Sequence, residues 1–290
     1  MTKTTVHPLT AADAHTLAAL RARRSPLKGK LTRASFDALM EEVPDVPGIQ
    51  YSDDIVGGVG GVWCRPQHAD GTILFLHGGA YMAGTAHAYR HFVGHVAAAA
   101  KMNAFVPDYR LAPEHRFPAA LDDAHAAYVG LASGKESPVA IVGDSAGGGL
   151  TLALASDLRD ARAPLAAVAL SPVTDLGQSL DSLSRTAELD LLLTAESVAH
   201  AARTYLKGHD PRDPRASAVY AETSALPPVL LHVGTSELLL DDSRRYAARA
   251  EVTLHEWEGM PHVFLSDIEL EAAREAIEIT GAFLRDAISR

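Results

Sequence analysis

The chain has 290 residues, of which 47% are hydrophobic and 21% charged. That composition supplies a large core and excludes an intrinsically disordered chain. The formal net charge of -10 argues against a surface that binds nucleic-acid phosphates, because such surfaces depend on clustered Lys and Arg. We therefore expect the partner to be a small, neutral molecule and not a nucleic acid. Whether the chain forms a homodimer is left open by the sequence.

Cysteine usage and hydropathy bear on the compartment. Cys64 is the only cysteine, so no intrachain disulfide can form and nothing requires an oxidising environment. No stretch has the apolar core of a signal peptide or the run of about 18 apolar residues of a membrane span. The expectation is a soluble, cytoplasmic protein.

Two helical patterns come first in the chain. One covers residues 11–24 behind a capping Thr10, and the other covers residues 34–43 behind Thr32. Because both precede the first strand signal, residues 1–45 are predicted to form N-terminal cap helices. Residues 46–290 would then hold the main domain, which opens with an antiparallel edge pair at residues 55–56 and 59–64.

From residue 72 onward, short apolar runs alternate with segments of helical length. This alternation predicts an α/β fold, with a mostly parallel central sheet flanked by helices. Ligands of such sheets bind beyond the carboxyl ends of the strands, so motifs at those ends matter most. Helical patterns near 181–189 and 194–207 interrupt the alternation and predict a cap insertion at about residues 175–215. The predicted strands are residues 73–76, 104–107, 139–142, 166–170 and 229–233.

The strongest motif is GDSAG at residues 143–147, which follows a predicted strand and opens a helical run at residues 150–159. This setting is typical of a nucleophilic serine on a sharp strand-to-helix turn, whose small neighbours leave room for a strained backbone. Ser145 is thus the candidate nucleophile. A chance glycine-rich turn is the alternative interpretation of this motif alone.

A second motif, HGGAY at residues 77–81, follows the strand at residues 73–76. Acyl transfer needs N–H groups aimed at the developing oxyanion, and small residues let substrate approach them. Gly78, Gly79, Ala80 and Ala146 form the candidate oxyanion hole. Within it, Gly79, Ala80 and Ala146 are the expected N–H donors, whereas Gly78 serves the turn.

Several motifs in order resemble the bacterial hormone-sensitive lipase family of esterases. They are HGG at 77–79, DYRLAPE at 108–114, FPAA at 117–120, GDSAGG at 143–148 and DPRDP at 210–214. The resemblance implies a capped α/β-hydrolase fold, no cofactor, and a preference for short to medium acyl esters. This chain departs from the family pattern at Ala80, where a third glycine is common.

The remaining catalytic groups should follow the serine in the order acid, then histidine. His262 lies in a turn-rich segment before the last helix, and HVF at 262–264 matches the family's His-Gly-Phe in two positions. Glu237 follows the strand at 229–233, where the family usually has Asp. We interpret Asp241 and Asp242 as caps of the next helix, which is predicted to reach residue 250.

Other suggestive residues are interpreted as structural. His87, His91 and His95 have a helical spacing that could present metal ligands, but no carboxylate or cysteine partner is evident, so no metal is predicted. His232 and His255 fall inside predicted strands.

The predicted reaction is ester hydrolysis through an acyl-enzyme on Ser145, with His262 as base and Glu237 orienting it. Lactone or amide hydrolysis on the same triad is an alternative, since the motifs do not specify the leaving group. A hydrolase-fold receptor without turnover is a second alternative. Such a receptor would lack one of the three residues, and all three are present here.

Overall fold

The computed structural model describes residues 2–133, 138–158, 163–177 and 182–289. Within them, nine strands form one sheet in the order β1-β9-β8-β7-β6-β4-β5-β3-β2. Strands β2 and β3 run antiparallel at one edge, and the other neighbours pair in parallel apart from β3 with β5. The strands are β1 Lys3–His7, β2 Gln50–Val56, β3 Val59–Arg65, β4 Thr72–Leu76, β5 Asn103–Pro107, β6 Val139–Asp144, β7 Ala167–Leu170, β8 Val229–Gly234 and β9 Thr253–Trp257.

Helices cover both faces of this sheet, so the central strands are buried on both sides and read as continuous apolar runs. Alternate side chains of β4 show the arrangement, since Leu74 belongs to the core on one face and Phe75 to the core on the other. The helices are α1 Ala11–Arg24, α2 Arg33–Glu41, α3 Ala86–Ala100, α4 Ala119–Ala132, α5 Ser145–Asp157, α6 Ser182–Arg185, α7 Ala195–Leu206, α8 Leu240–Ala247 and α9 Glu271–Ile288.

The predicted parallel sheet and edge pair are confirmed, but the first strand was missed. Strand β1 precedes α1 and pairs in parallel with β9, from Lys3 opposite Thr253 to His7 opposite Trp257. Its residues are mostly exposed, so the run lacks the apolar pattern that marks the inner strands. The two helices that follow begin behind Thr10 and Thr32, as predicted.

Two further differences concern helix bounds. Helix α5 begins at Ser145 itself, five residues before the predicted run, whose last residue, Arg159, lies outside the described residues. Helix α6 is much shorter than the predicted pattern at 181–189, whose first residue also lies outside the description. Among the described residues, no helix is both long enough and apolar enough to span a membrane.

Candidate active site

Ser145 lies where β6 ends and α5 begins, with a backbone φ of 51°. A non-glycine residue in this left-handed region is strained, and such strain is common at catalytic turns. The turn closes only because its flanking residues lack side chains. A Cβ atom on Gly147 would lie 1.9 Å from the carbonyl oxygen of Leu76, and one on Gly143 would lie 2.4 Å from that of Gly147.

The structure brings Ser145, His262 and Glu237 together, although Glu237 is 92 residues and His262 117 residues further along the chain than Ser145. His262 Nε2 lies 2.9 Å from Ser145 Oγ, and His262 Nδ1 lies 3.0 Å from Glu237 Oε1. Glu237 is fully buried, and His262 is 7% exposed. Glutamate therefore reaches the imidazole in hydrogen-bonding range despite its additional methylene group.

The electrostatic surroundings favour the protonated form of His262. Burial by itself lowers the pKa of the imidazole, but the hydrogen bond and charge of Glu237 oppose it. Together with the charges of Asp190 and Asp144, they raise the pKa above its ordinary value of 6.5. An imidazole that takes up a proton readily suits a general base next to a hydroxyl.

The loop of residues 77–81 is held against the nucleophile turn by Asp144. The N–H of Gly78 donates to Asp144 Oδ1 at 2.9 Å, and the hydroxyl of Tyr89 donates to Asp144 Oδ2 at 3.0 Å. Burial raises the pKa of Asp144 to about 7. The N–H of Gly78 is occupied by this hydrogen bond. Within the candidate oxyanion hole, Gly78 therefore serves the turn and does not act as a donor.

The next two residues of this loop, Gly79 and Ala80, line the cavity that contains Ser145. Neither N–H group donates a hydrogen bond to another of the described residues. Ala80 has a φ of 57°, a conformation that glycine would adopt without strain. Ala146 occupies the first turn of α5, where backbone N–H groups have no partner within the helix.

His77 supports this loop and is not placed for proton transfer. Its ring stacks on Tyr109 with centroids 4.2 Å apart, and its Nδ1 lies 2.7 Å from the carbonyl oxygen of Gly78. The hydroxyl of Tyr109 donates to the carbonyl oxygen of His77 at 2.6 Å. Burial lowers the pKa of His77 to about 4, so the ring is neutral near pH 7.

A cavity of about 490 Å³ opens in front of Ser145 and His262. Its walls come from the N-terminal helices and from the insertion after β7, so both predicted cap segments contribute. The larger apolar side chains of the lining are those of Leu31, Phe36, Leu39, Met40, Met82, Val173, Leu176, Leu192, Leu193, Val198, Leu239 and Val263.

Arg33 fastens helix α2 to the region around the oxyanion loop. Its Nε donates to the carbonyl oxygen of Met82 at 2.7 Å, and its Nη2 donates to that of Ala112 at 2.9 Å. The same guanidinium forms an ion pair with Glu114, a residue of the DYRLAPE motif. Helix α2 is therefore attached to the loops that contain Met82 and Glu114.

The insertion also holds the backbone of the candidate acid, a relationship that sequence reasoning missed. The hydroxyl of Thr186 donates to the carbonyl oxygen of Glu237 at 2.7 Å. The N–H of Leu238 donates to the buried carboxylate of Asp190 at 3.0 Å. The only signal in the sequence was that Asp190 lies inside the predicted cap insertion. That position does not indicate that its carboxylate contacts the N–H of Leu238.

The interpretation of Asp241 and Asp242 as helix caps is wrong. The N-cap of α8 is Leu239 without a side-chain hydrogen bond, and the helix ends at Ala247. Asp242 is buried and accepts hydrogen bonds from the N–H groups of Thr174 and Asp175, while Asp241 forms an ion pair with Arg185. Both lie in the first turn, so the helix dipole still favours their charge.

Three further histidines have partners outside the candidate triad. His91 and His95 lie close to the carbonyl oxygens of Val43 and Pro44, which join α3 to the end of the N-terminal segment. His232 accepts a hydrogen bond from the Trp257 indole at 3.0 Å. In the described part of the chain, no three His, Cys, Asp or Glu side chains converge on a position where they could hold a metal ion.

Comparison with known proteins places this geometry in a family. A family model described as "alpha/beta hydrolase fold" matches residues 73–266. The acetyl-hydrolase of Streptomyces hygroscopicus is 39% identical over 267 residues, which cover 88% of this chain and 89% of that protein. The crystal structure of an esterase from the bacterial hormone-sensitive lipase family has a TM-score of 0.88 at 34% identity, covering 97% of this chain and 99% of that chain. This chain belongs to the bacterial hormone-sensitive lipase family of esterases.

A second solved structure agrees with that assignment. The crystal structure of EstE5 soaked by ethyl alcohol has a TM-score of 0.90 at 34% identity, and the alignment covers 97% of this chain and 100% of that one. The family resemblance and the α/β-hydrolase fold predicted from sequence are both confirmed. The alignment covers nearly the whole length, so the elements that carry Ser145 and His262 lie within the shared fold.

Proposed function

We propose that this chain hydrolyses small carboxylic esters through a triad of Ser145, His262 and Glu237. Ester hydrolysis is the activity for which several of its relatives and structural neighbours are named. The single observation that carries the residue assignment is the continuous hydrogen-bonded chain from Ser145 Oγ through the imidazole to Glu237 Oε1, at 2.9 and 3.0 Å. In a serine hydrolase these three groups supply nucleophile, base and orienting acid.

In the proposed mechanism, Ser145 Oγ attacks the ester carbonyl carbon while its proton passes to His262 Nε2. The tetrahedral intermediate collapses when the imidazolium returns that proton to the departing alcohol, which leaves an acyl-enzyme on Ser145. Water then attacks the acyl carbon and gives a proton to His262, which returns it to Ser145 Oγ as the carboxylic acid is released. Glu237 remains ionised and stabilises the imidazolium in both halves of the cycle.

The N–H groups of Gly79, Ala80 and Ala146 stabilise the oxyanion in this proposal. Donors that are preorganised towards the developing charge supply roughly 3–4 kcal/mol each in comparable sites. Gly79 and Ala80 meet the requirement for uncommitted donors at the cavity surface. Asp144, by holding Gly78, fixes the loop from which they project.

The substrate class follows from the cavity and the relatives. Short to medium acyl esters are proposed, because the lining is largely apolar and the volume, about 490 Å³, is within the range of small-molecule sites. The relative from Streptomyces hygroscopicus is named an acetyl-hydrolase, which supports including acetyl esters. Helices α1 and α2, with the described residues of the insertion at about 175–215, form the proposed cap over this site.

The test is hydrolysis of p-nitrophenyl acetate and butyrate by the wild type and by Ser145→Ala. The proposal expects turnover in the wild type and a loss of about a millionfold in the variant, as for removal of other serine nucleophiles. A panel that adds a lactone and an anilide decides between the leaving groups. Absence of wild-type turnover on every ester, or Ser145→Ala with a tenth of wild-type kcat, would overturn the proposal.

A further inference from the structure

One buried hydroxyl joins the loops that carry the proposed acid and base. Ser171 follows the end of β7 and is fully buried. Its Oγ donates to Glu237 Oε2 at 2.7 Å and accepts from the N–H of Val263 at 3.1 Å. Val263 is the residue directly after His262, so a single side chain contacts both the acid and the backbone of the base loop.

The two carboxylate oxygens of Glu237 have separate sets of partners. Oε2 accepts from the hydroxyl of Ser171 and from the N–H of Gly234 at 3.0 Å, whereas Oε1 faces His262 Nδ1. A hydroxyl has one proton, which here goes to Glu237, and lone pairs, one of which receives the N–H of Val263. With Oε2 fixed from two directions, the carboxylate plane is fixed and Oε1 stays directed at the imidazole.

The backbone at both ends of this bridge is strained. Ser171 has a φ of 48° and Val263 a φ of 52°, and for a β-branched residue the left-handed region is an outlier. The family resemblance gives glycine at the position of Val263, where this conformation costs little. The N–H of Ser171 donates to the carbonyl oxygen of His232 at 2.7 Å and helps to hold this geometry. Such strain persists where surrounding contacts over-determine it.

We propose that Ser171 is a positioning residue for the reaction: its hydroxyl fixes Glu237 and the His262 loop in one arrangement. This inference rests on the proposed function, since it assigns a task within the same triad. Being fully buried, Ser171 presents no surface to substrate. Removing the hydroxyl should therefore lower kcat and leave KM unchanged.

Two variants separate the hydroxyl from the backbone strain. Ser171→Ala removes the hydroxyl and keeps the strain, whereas Ser171→Gly removes the hydroxyl and relieves it. Ser243→Ala is the matched control, because Ser243 is a fully buried serine whose Oγ has no hydrogen-bond partner among the described residues. Ser171→Gly also covers the case in which the alanine variant fails to fold.

The experiment measures kcat and KM with p-nitrophenyl butyrate, with active sites counted by titration with a phosphonate ester. We expect kcat per active site to fall about ten- to a hundredfold in both Ser171 variants, the range for a hydrogen bond to a charged group, with KM within about twofold. Ser243→Ala should keep the wild-type kcat. A wild-type kcat in either Ser171 variant, or a loss confined to KM, would overturn the proposal.

A second measurement keeps this inference separate from the proposed function. The NMR resonance of the Nδ1 proton of His262 reports its hydrogen bond to Glu237 without any substrate. We expect that resonance to move upfield and exchange faster with solvent in both Ser171 variants. If the wild type hydrolyses no ester, the proposed function fails, and this resonance still decides on Ser171. An unchanged resonance in both variants would overturn the positioning assignment.

Discussion

Asp13, on the first helix, accepts a hydrogen bond from the backbone N–H of Glu271, the first residue of the last helix, at 2.7 Å. Its other carboxylate oxygen accepts from the N–H of Ala272 at 3.3 Å. Helix α9 has no side-chain cap of its own, so Asp13 supplies one from the opposite end of the chain. Together with the pairing of β1 and β9, this contact ties the N-terminal segment to the hydrolase body.

Replacing Asp13 should therefore reduce stability without affecting catalysis. Asp13→Ala removes the acceptor of two N–H groups in the first turn of α9 and is expected to lower the free energy of unfolding by about 1–2 kcal/mol. Urea unfolding checks this, with exposed Asp53→Ala as the control that should change it by less than about 0.5 kcal/mol. Equal free energies of unfolding for the Asp13 variant and the wild type would show that this contact does not contribute to stability.

Sequence patterns predicted what depends on neighbours along the chain. The strand-turn-helix at Ser145 and the caps at Thr10 and Thr32 are local, because small residues and hydroxyls act on backbone within a few positions. The acid and base could be placed in loops by chain order. The contacts of Glu237 with Ser171 and Thr186 could not, since those partners meet the acid only when β7, β8 and the insertion converge.

Asp242 and strand β1 are two further features that depend on distant parts of the chain. An aspartate at the start of a helix fits a cap by local rules, yet Asp242 is fixed by N–H groups some 67 residues away. Strand β1 has little apolar content and is defined by its pairing with β9. In both cases hydrogen bonds between distant parts of the chain determine the structure, and no local sequence pattern predicts them.

Asp144 should matter for its hydrogen bonds more than for its charge. Asp144→Asn can still accept from the N–H of Gly78 and can donate to the hydroxyl oxygen of Tyr89, so kcat should stay within about tenfold of the wild type. Asp144→Ala releases the oxyanion loop and should lower kcat by about a hundredfold or more. Steady-state kinetics with one ester compares the two, and equal losses would contradict the distinction.

The pH dependence follows from the raised pKa of His262. The proposed mechanism needs a neutral imidazole, so kcat/KM should fall as pH decreases through a midpoint above 6.5. In Glu237→Gln the charge that raises this pKa is gone while burial still lowers it, so the midpoint should move to lower pH. The profile from about pH 5 to 9 shows both. A wild-type midpoint below 6.5, or no displacement in Glu237→Gln, would count against the assignment.

The raised pKa of His262 also makes the stability of the folded state depend on pH. A histidine whose pKa is raised on folding stabilises the folded state when it is protonated. That contribution is complete below the unfolded pKa of about 6.5 and is lost as pH rises through the folded value. Thermal unfolding of the wild type and His262→Ala on either side of this window should show a stability difference that narrows as pH rises.

Substitutions of two carboxylates that follow β8 are expected to have very different effects on kcat. Glu237→Gln keeps the shape but removes the charge facing His262, and by the chymotrypsin precedent should lower kcat by about 10⁴-fold. Asp241→Asn weakens a partly exposed ion pair with Arg185 and should cost little activity, since such pairs contribute about 0–1 kcal/mol. A large loss in Asp241→Asn beside a near-normal Glu237→Gln would reverse the assignment.

The most direct test of the central claim is the mass of the intact protein after reaction with diethyl p-nitrophenyl phosphate, followed by peptide mapping. We expect one diethylphosphoryl group on the wild type, located on Ser145, because only the serine next to His262 Nε2 is activated as a nucleophile. Ser145→Ala should gain no label, and His262→Ala should be labelled far more slowly. A label on another residue, or equal labelling of Ser145→Ala, would contradict the account.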